Sequence, residues 1–385
     1  MSEWKESKLG DVGVVVTGKT PSSKNPDDFG SYVPFVTPTD YKNYQKVVSS
    51  SQRFLSSVGA NRLDNKILPP NSIMVTCIGS DMGKVAMNTV PVITNQQINS
   101  ILPDIKKADP DFLYYKLVES YDVLRSYSLA GTAVPIVNKT DFEGIEIILP
   151  PLPEQRAIAG VLSSLDDKID VLHRQNKTLE GMAEALWRKI FVEEADPRWK
   201  KGKLGDEMDI TMGQSPPGNT YNEEKQGMVF FQGRAEFDFR FPQTRLYCTE
   251  PKRLAKRGDT LVSVRAPVGD INMAYEGCCI GRGLAAVRHK RDYTSYTFYK
   301  ISSLKDDFDS FEQQGTVFGS IGKDDFNNIE TLVPSEEDMQ AFEDTAKPLD
   351  NKIFTNSIQI RTLSCLRDML LHKLMSGEVR VKGGL

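Results

Sequence analysis

LPPLPEQRAIAGVLSSLDDKI, residues 149–169, opens a run in which Ile158, Leu162, Leu165, Ile169, Leu172, Asn176, Leu179, Ala183, Leu186 and Ile190 recur at steps alternating between four and three. That alternation is a heptad a/d seam lasting more than four heptads, and it predicts a long helix packed lengthwise on another helix rather than on a broad globular core. The partner is in the same chain. Moving 184 residues along gives Phe342, Ala346, Leu349, Ile353, Asn356, Ile360, Leu363, Arg367, Leu370 and Leu374. This second seam is less regular: Arg367 has to snorkel, and Pro348 should break or kink the helix just before it. An isolated amphipathic helix is marginal in water, so the two seams are expected to bury each other as an antiparallel pair. Asn176 and Asn356 then either meet across the seam, where a buried amide pair fixes register, or lie exposed near the helix middles.

The rest of the chain also repeats. KLGD at 8–11 returns at 203–206, and Gly18, Thr20 and Pro21 fall on Gly213, Ser215 and Pro216 at the same offset of 195. NSIMVT (71–76) matches GDTLVS (258–263), and GKVAM (83–87) matches GDINM (269–273), at offsets of 187 and 186. GT (131–132), KTDF (139–142) and Pro150 match GT (315–316), KDDF (323–326) and Pro334 at 184. A falling offset means that the second copy has lost loop residues while keeping its scaffold. Loops that diverge on a repeated scaffold suit one architecture presenting two binding surfaces.

Within each copy, strand-like runs rich in Val, Ile and Thr are bounded by Gly, Pro and Asn: 12–18, 71–79 and 144–150 in the first, 258–267 and 329–334 in the second. Helical patterns at 109–128 and 293–311 precede each GT turn. The expected fold is α+β: two pseudo-repeated mixed α/β domains joined by two long antiparallel coiled-coil-like helices. The divisions are residues 1–152, a helical spacer at 153–192, a polar linker at 193–203, a second domain at 204–334, a second spacer at 335–377 and a tail at 378–385.

Bulk properties narrow the function. The chain has 385 residues and a net charge of −4, yet residues 228–291 carry twelve Lys/Arg against six Asp/Glu, a local excess of six positive charges. Five cysteines form no CxxC pair and are read as reduced, buried thiols. The polar N-terminus and the lack of an ~18-residue apolar run predict no membrane span and, by default, a cytoplasmic location. No [DNS]PP[YF], FxGxG, GxGxxG or GxxxxGK[ST] motif occurs, and LPPN (68–71) is only a distant approach to the first. His173, His289 and His372 are scattered, and neither PDDF (26–29) nor PDIK (103–106) has the carboxylate and lysine spacing of a metal-dependent nuclease. No catalytic residue, metal site or bound cofactor is expected.

In layout the chain resembles HsdS, the DNA-specificity subunit of type I restriction-modification complexes. The LPPLPEQ…LDDKID spacer carries the likeness most specifically. The turns GKTPSS (18–23) and GQSPPG (213–218), the segment FFQGRAEF…LVSVRAPVGDI…GRGLAAVR and the close LLHKLMSGEVR (370–380) add to it. VPSEEDMQ (333–340) departs from the pattern where PLPEQ would stand. The resemblance implies two target recognition domains, each reading half of a bipartite, asymmetric site on double-stranded DNA, with helices setting the gap. It also implies two modification subunits (HsdM) that hold S-adenosylmethionine and methylate adenine at N6, and restriction subunits (HsdR) that use ATP. Two rival classes are a methyltransferase or nuclease with a degenerate motif, and a coiled-coil adaptor that does not read DNA.

Candidate DNA contacts follow from side-chain chemistry, because Arg pairs bidentately with guanine and Gln or Asn with adenine. In the second copy these are Gln232, Arg234, Arg265 and Arg282, with Gln214 and Ser215 in the turn. In the first they are Lys19, Thr20, Lys24, Lys84, Asn95, Gln96 and Gln97. The competing reading of the amide run 95–97 is strand-end capping.

Overall fold

The computed structural model describes residues 4–41, 45–79, 82–126, 136–313 and 319–381. The paired GT turns at 131–132 and 315–316 lie outside the described residues. Two compact units divide the chain, residues 1–172 with 360–385 and residues 173–359. Both boundaries fall inside long helices, so each unit contains one mixed α/β domain and one half of each helix.

In the first unit a five-stranded sheet runs in the order Gly13–Thr17, Ile98–Pro103, Ile73–Thr76, Val85–Asn88, Val47–Val48, antiparallel except for the last pair. Ile73–Thr76 is covered on both faces and buried throughout, as its unbroken apolar run requires. Gly13–Thr17 lies at the edge and alternates, with Val14 65% exposed and Val15 3%. A smaller sheet pairs Phe29–Val36 in parallel with Ile93–Thr94.

The second unit repeats this plan. Met208–Met212, Leu284–His289, Thr260–Ser263 and Ile271–Met273 form the antiparallel sheet. Met228–Phe231 pairs in parallel with Cys278–Ile280 in the other. The KLGD copies are built alike. Asp11 accepts a hydrogen bond from Lys8 N at 3.1 Å and Asp206 from Lys203 N at 2.8 Å. Leu9 N donates to Ile145 O, and Leu204 N to Ile329 O, both at 2.9 Å. The strand before each motif, Lys5–Lys8 or Lys200–Lys203, pairs with the last strand of its domain, Glu146–Leu149 or Glu330–Val333. The residues read as linker therefore contribute a strand. Upstream the likeness extends further: Trp4 Nε1 donates to Glu154 and Trp199 Nε1 to Asp338.

The first long helix, Leu152–Arg188, has 37 residues and passes into a π turn at Lys189–Glu193. The second, Glu336–Met375, has 40 residues and runs through Pro348 without a break, so of the break or kink expected there the break does not occur. Pro348 has no N–H for the carbonyl of Asp344, a defect worth roughly 3 kcal/mol in a helix interior. Packing on both sides outweighs it: Ala346 and Ile353 are fully buried in the core of the unit.

The helix halves run antiparallel within each unit. In the second, Asn356 Nδ2 donates to Asn176 Oδ1 at 2.8 Å and to Gln175 Oε1 at 2.9 Å, and Trp187 packs edge-on against Phe342. Every seam position is buried or half-buried. The helices nevertheless do more than face each other. Trp187 and Phe191 join Leu204, Met208 and Tyr296 in one domain core, and Ile158, Leu162 and Leu374 join Phe112 and Phe142 in the other. Each buried side chain of this size contributes about 1.5–3 kcal/mol. Arg367 does not snorkel: it is ion-paired with Asp166 at 2.8 Å and also pairs with Asp368.

A cation, half-buried in the first unit and buried in the second, anchors each domain to its spacer. Lys46 Nζ meets Asp111 at 2.5 Å and Ser163 Oγ at 2.9 Å and lies over the ring of Tyr115, whose hydroxyl donates to Asp166 at 2.6 Å. Arg240 donates to Asp350 and Glu180, both at 3.1 Å, and to Tyr299 Oη at 2.9 Å. The two are matched in backbone as well, since the carbonyls of Lys46 and Arg240 accept from Met87 N and Met273 N, each at 2.8 Å. Cys77, Cys248, Cys278 and Cys279 are buried thiols, whereas Cys365 is exposed on the second long helix, against the expectation for all five.

Candidate nucleic-acid interface

The first edge strand of each domain ends in a glycine that has no alternative. At Gly18 a Cβ would lie 2.1 Å from the carbonyl oxygen of Asn95, and at Gly213 it would lie 2.1 Å from that of Gly281. The chain therefore lies flat on a second turn. Gly18 N donates to Ile98 O and Lys19 N to Thr94 O in the first domain; Gly213 N donates to Leu284 O and Gln214 N to Ile280 O in the second.

These hydrogen bonds establish residue-by-residue correspondence without reference to side chains. Lys19 stands where Gln214 does, Thr20 where Ser215 does, and Gln96 where Arg282 does. In the first domain Thr20 Oγ1 donates to Gln96 Oε1 at 2.5 Å. In the second, Ser215 Oγ accepts from Arg282 N at 3.2 Å. Lys19, Thr20, Gln96, Gln214 and Arg282 are exposed, and Ser215 is half-buried.

Asn95 and Gln97 behave differently. Asn95 is buried, its Oδ1 accepts from Gln97 N at 3.1 Å and its Nδ2 donates to Gln97 Oε1 at 2.8 Å, which is the capping alternative. Lys24 is exposed in a separate turn, where its N–H donates to Ser22 Oγ. Lys84 is elsewhere again, lining a cavity of 280 Å³ with Tyr114, Tyr121, Asp166 and Arg367.

In the second domain Gln232 joins the cluster, because Gly281 and Gly283 approach its carbonyl so closely that a Cβ on either would lie within 2.9 Å of it. Arg265 and Arg282 line one cleft with Met212 and the 319–322 backbone. Arg234, on the short 3-10 turn Arg234–Glu236, is ion-paired with Asp270. The same parallel-strand pairing places Thr37 where Gln232 stands, with the turn Pro38–Asp40 corresponding to Arg234–Glu236. Thr37 and Thr39 are thus candidates that sequence reasoning missed, although FVTPTDY and FFQGRAEF occupy equivalent strand ends.

Five arginines of the basic segment 228–291 are engaged structurally. Arg234 pairs with Asp270, Arg240 with Glu180 and Asp350, Arg245 with Glu236, Arg288 with Asp259 and Asp292, and Arg291 with Glu336. Arg265 and Arg282 have no carboxylate within ion-pair distance among the described residues. Among the described residues their guanidinium groups donate to no side chain.

Burial, reinforced by the charges of Arg291 and Lys290, pushes the His289 imidazole down to about 4, and its Nδ1 accepts from Arg291 N at 3.1 Å. His289 is thus held neutral as part of the core, stacked on Tyr293. Among the described residues no group of three His, Cys, Asp or Glu could hold a metal ion, and no helix is long and apolar enough to cross a membrane.

Residues 1–181 match the family described as type I restriction modification DNA specificity domain. The chain is 29% identical over 405 residues to the MjaX type I restriction enzyme specificity subunit of Methanocaldococcus jannaschii, covering 99% of this chain and 94% of the relative. It is 40% identical over 149 residues to the HindI type I restriction enzyme specificity subunit of Haemophilus influenzae, covering 38% of this chain and 32% of that one. In fold it is similar to the crystal structure of the type I restriction-modification S subunit from M. genitalium, with a TM-score of 0.64 over 97% of this chain and 96% of that chain at 16% identity.

Proposed function

We propose that the chain is a type I restriction-modification DNA specificity subunit, as its likeness to that family supports, and that it reads a two-part, asymmetric sequence on double-stranded DNA, one half through each domain. One observation carries the proposal: the same glycine-backed turn is built twice, with Lys19, Thr20 and Gln96 in one copy and Gln214, Ser215 and Arg282 at the matched positions of the other. Equal scaffolds with unequal donors and acceptors suit two different half-sites.

On this reading the long helices hold the half-sites apart. At about 1.5 Å per residue the first is roughly 56 Å long, more than one turn of duplex at about 3.4 Å per base pair. Two modification subunits, carrying S-adenosylmethionine and methylating adenine at N6, dock on the spacers, and restriction subunits that use ATP join them in the cytoplasm. The chain itself contributes no catalytic group, metal or cofactor. Its contribution is to choose where its partners act.

The experiment is to map methylated adenines genome-wide in cells with and without the gene, and after exchanging residues 1–150 for those of a relative. Loss of a bipartite motif on deletion, and a change in only one half on exchange, are expected. An unchanged map on deletion overturns the proposal.

A further inference from the structure

We propose that Gln96 and Arg282 are a matched pair of base-reading positions, Gln96 selecting adenine in one half-site and Arg282 selecting guanine in the other. The inference rests on the DNA-reading function proposed above and deepens it to the residue.

Backbone geometry makes the two positions equivalent. Each follows the residue whose carbonyl abuts the strand-end glycine, and each lies in a turn bounded by matched hydrogen bonds, Lys19 N to Thr94 O and Gly18 N to Ile98 O against Gln214 N to Ile280 O and Gly213 N to Leu284 O. Each is fastened to the facing turn through a hydroxyl, Thr20 in one domain and Ser215 in the other. The fastening holds the Gln96 side chain in one domain and the Arg282 backbone in the other, and consumes neither side chain. Thr20 takes one lone pair of Gln96 Oε1, so a second lone pair and the Nε2 donors remain for the N6 and N7 edge of adenine. Ser215 takes only the backbone N–H of Arg282, so the guanidinium fork is available for O6 and N7 of guanine.

Neighbouring candidates lack one or other of these properties. Asn95 is buried, and Arg234 already has Asp270 as a partner. A side chain on a rigid, twice-used turn is better placed for base reading than one on a long loop.

The test exchanges the two chemistries in the intact complex: Gln96→Arg and Arg282→Gln, with adenine methylation mapped in cells that retain the cognate modification genes. Gln96→Arg should change one adenine to guanine in one half of the motif, and Arg282→Gln one guanine to adenine in the other half. Discrimination between the bases should be roughly tenfold to a hundredfold. Both sites are exposed, so thermal unfolding should be unmoved. That measurement separates a reading defect from a folding defect. Lower methylation at an unchanged motif would assign both side chains to phosphate contact and overturn the proposal, as would altered bases in both halves from one substitution. Failure of the broader reading is distinguishable, because it leaves the wild-type map without a bipartite motif.

Discussion

Arg240→Met should destabilise the unit formed by residues 173–359 by about 3–5 kcal/mol, the usual cost of removing one member of a buried ion pair. The Arg240 side chain is 1% exposed. It meets Glu180 and Asp350 at 3.1 Å and Tyr299 Oη at 2.9 Å, and its Cζ lies 3.8 Å from the centre of the Phe298 ring. Methionine refills much of the volume but donates nothing. Asp350 would keep only the Tyr299 hydroxyl, at 3.2 Å. Burial already raises the Glu180 carboxyl above its ordinary range against the opposing pull of Arg240, so the substitution should raise it further. For a unit of this size the loss corresponds to roughly 6–20 °C in Tm. The double substitution Arg240→Met with Asp350→Leu should recover part of it, because only the less buried of the two carboxylates, Glu180, is then left without its partner. Segment-resolved hydrogen exchange on the full chain provides the assay, with strands Ile73–Thr76 and Ile98–Pro103 of the other unit as internal reference. A loss below about 1 kcal/mol, or equal deprotection of the reference strands, would refute the argument that this arginine pins the second domain to its spacer.

Other outcomes are expected from the same structure. His289 has an ordinary value near 6.5 when unfolded and about 4 when folded, so the unfolded chain binds more protons between those values. Urea stability should therefore be fully present above about pH 6.5 and fall as pH drops toward 4, by no more than about 3 kcal/mol; His289→Asn should flatten that part of the profile. Asn356→Leu strands the side-chain oxygen of Asn176 and should cost about 1–3 kcal/mol by chemical denaturation, whereas leucine at both positions should restore stability. Gly213→Ala places a methyl 2.1 Å from the carbonyl of Gly281 and should abolish reading of one half-site in methylation mapping while leaving the other intact. Inserting four helical residues beside Asn176 lengthens the first long helix by about 6 Å and rotates its C-terminal half by about 40°; the same half-sites at a gap wider by nearly two base pairs are expected, and activity at the original gap would mean that the helices are not the ruler.

The four-three seam from Ile158 to Ile190 and the double KLGD were legible in the sequence because both are local patterns: a helix period needs only its own stretch, and a repeat needs only comparison with itself. The matched Trp4 and Trp199 were equally legible, each four residues before its KLGD motif in WKESKLGD and WKKGKLGD, but short motif matching stopped at the last four letters. Roles of single polar residues were not legible. A run of Asn95, Gln96 and Gln97 looks uniform in sequence, yet the fold buries the first to close a turn and leaves the second at the surface. Pro348 reads as a helix breaker until the buried residues around it outweigh one missing hydrogen bond. The basic segment 228–291 shows the limit most plainly, since Arg240 finds its partners 60, 59 and 110 residues away, while Arg265 and Arg282 in the same segment have no carboxylate partner among the described residues. Sequence determines which charges exist and which faces are apolar. Only tertiary structure decides which charges neutralise one another, because ion pairing depends on separation in space, and folding brings together residues far apart along the chain.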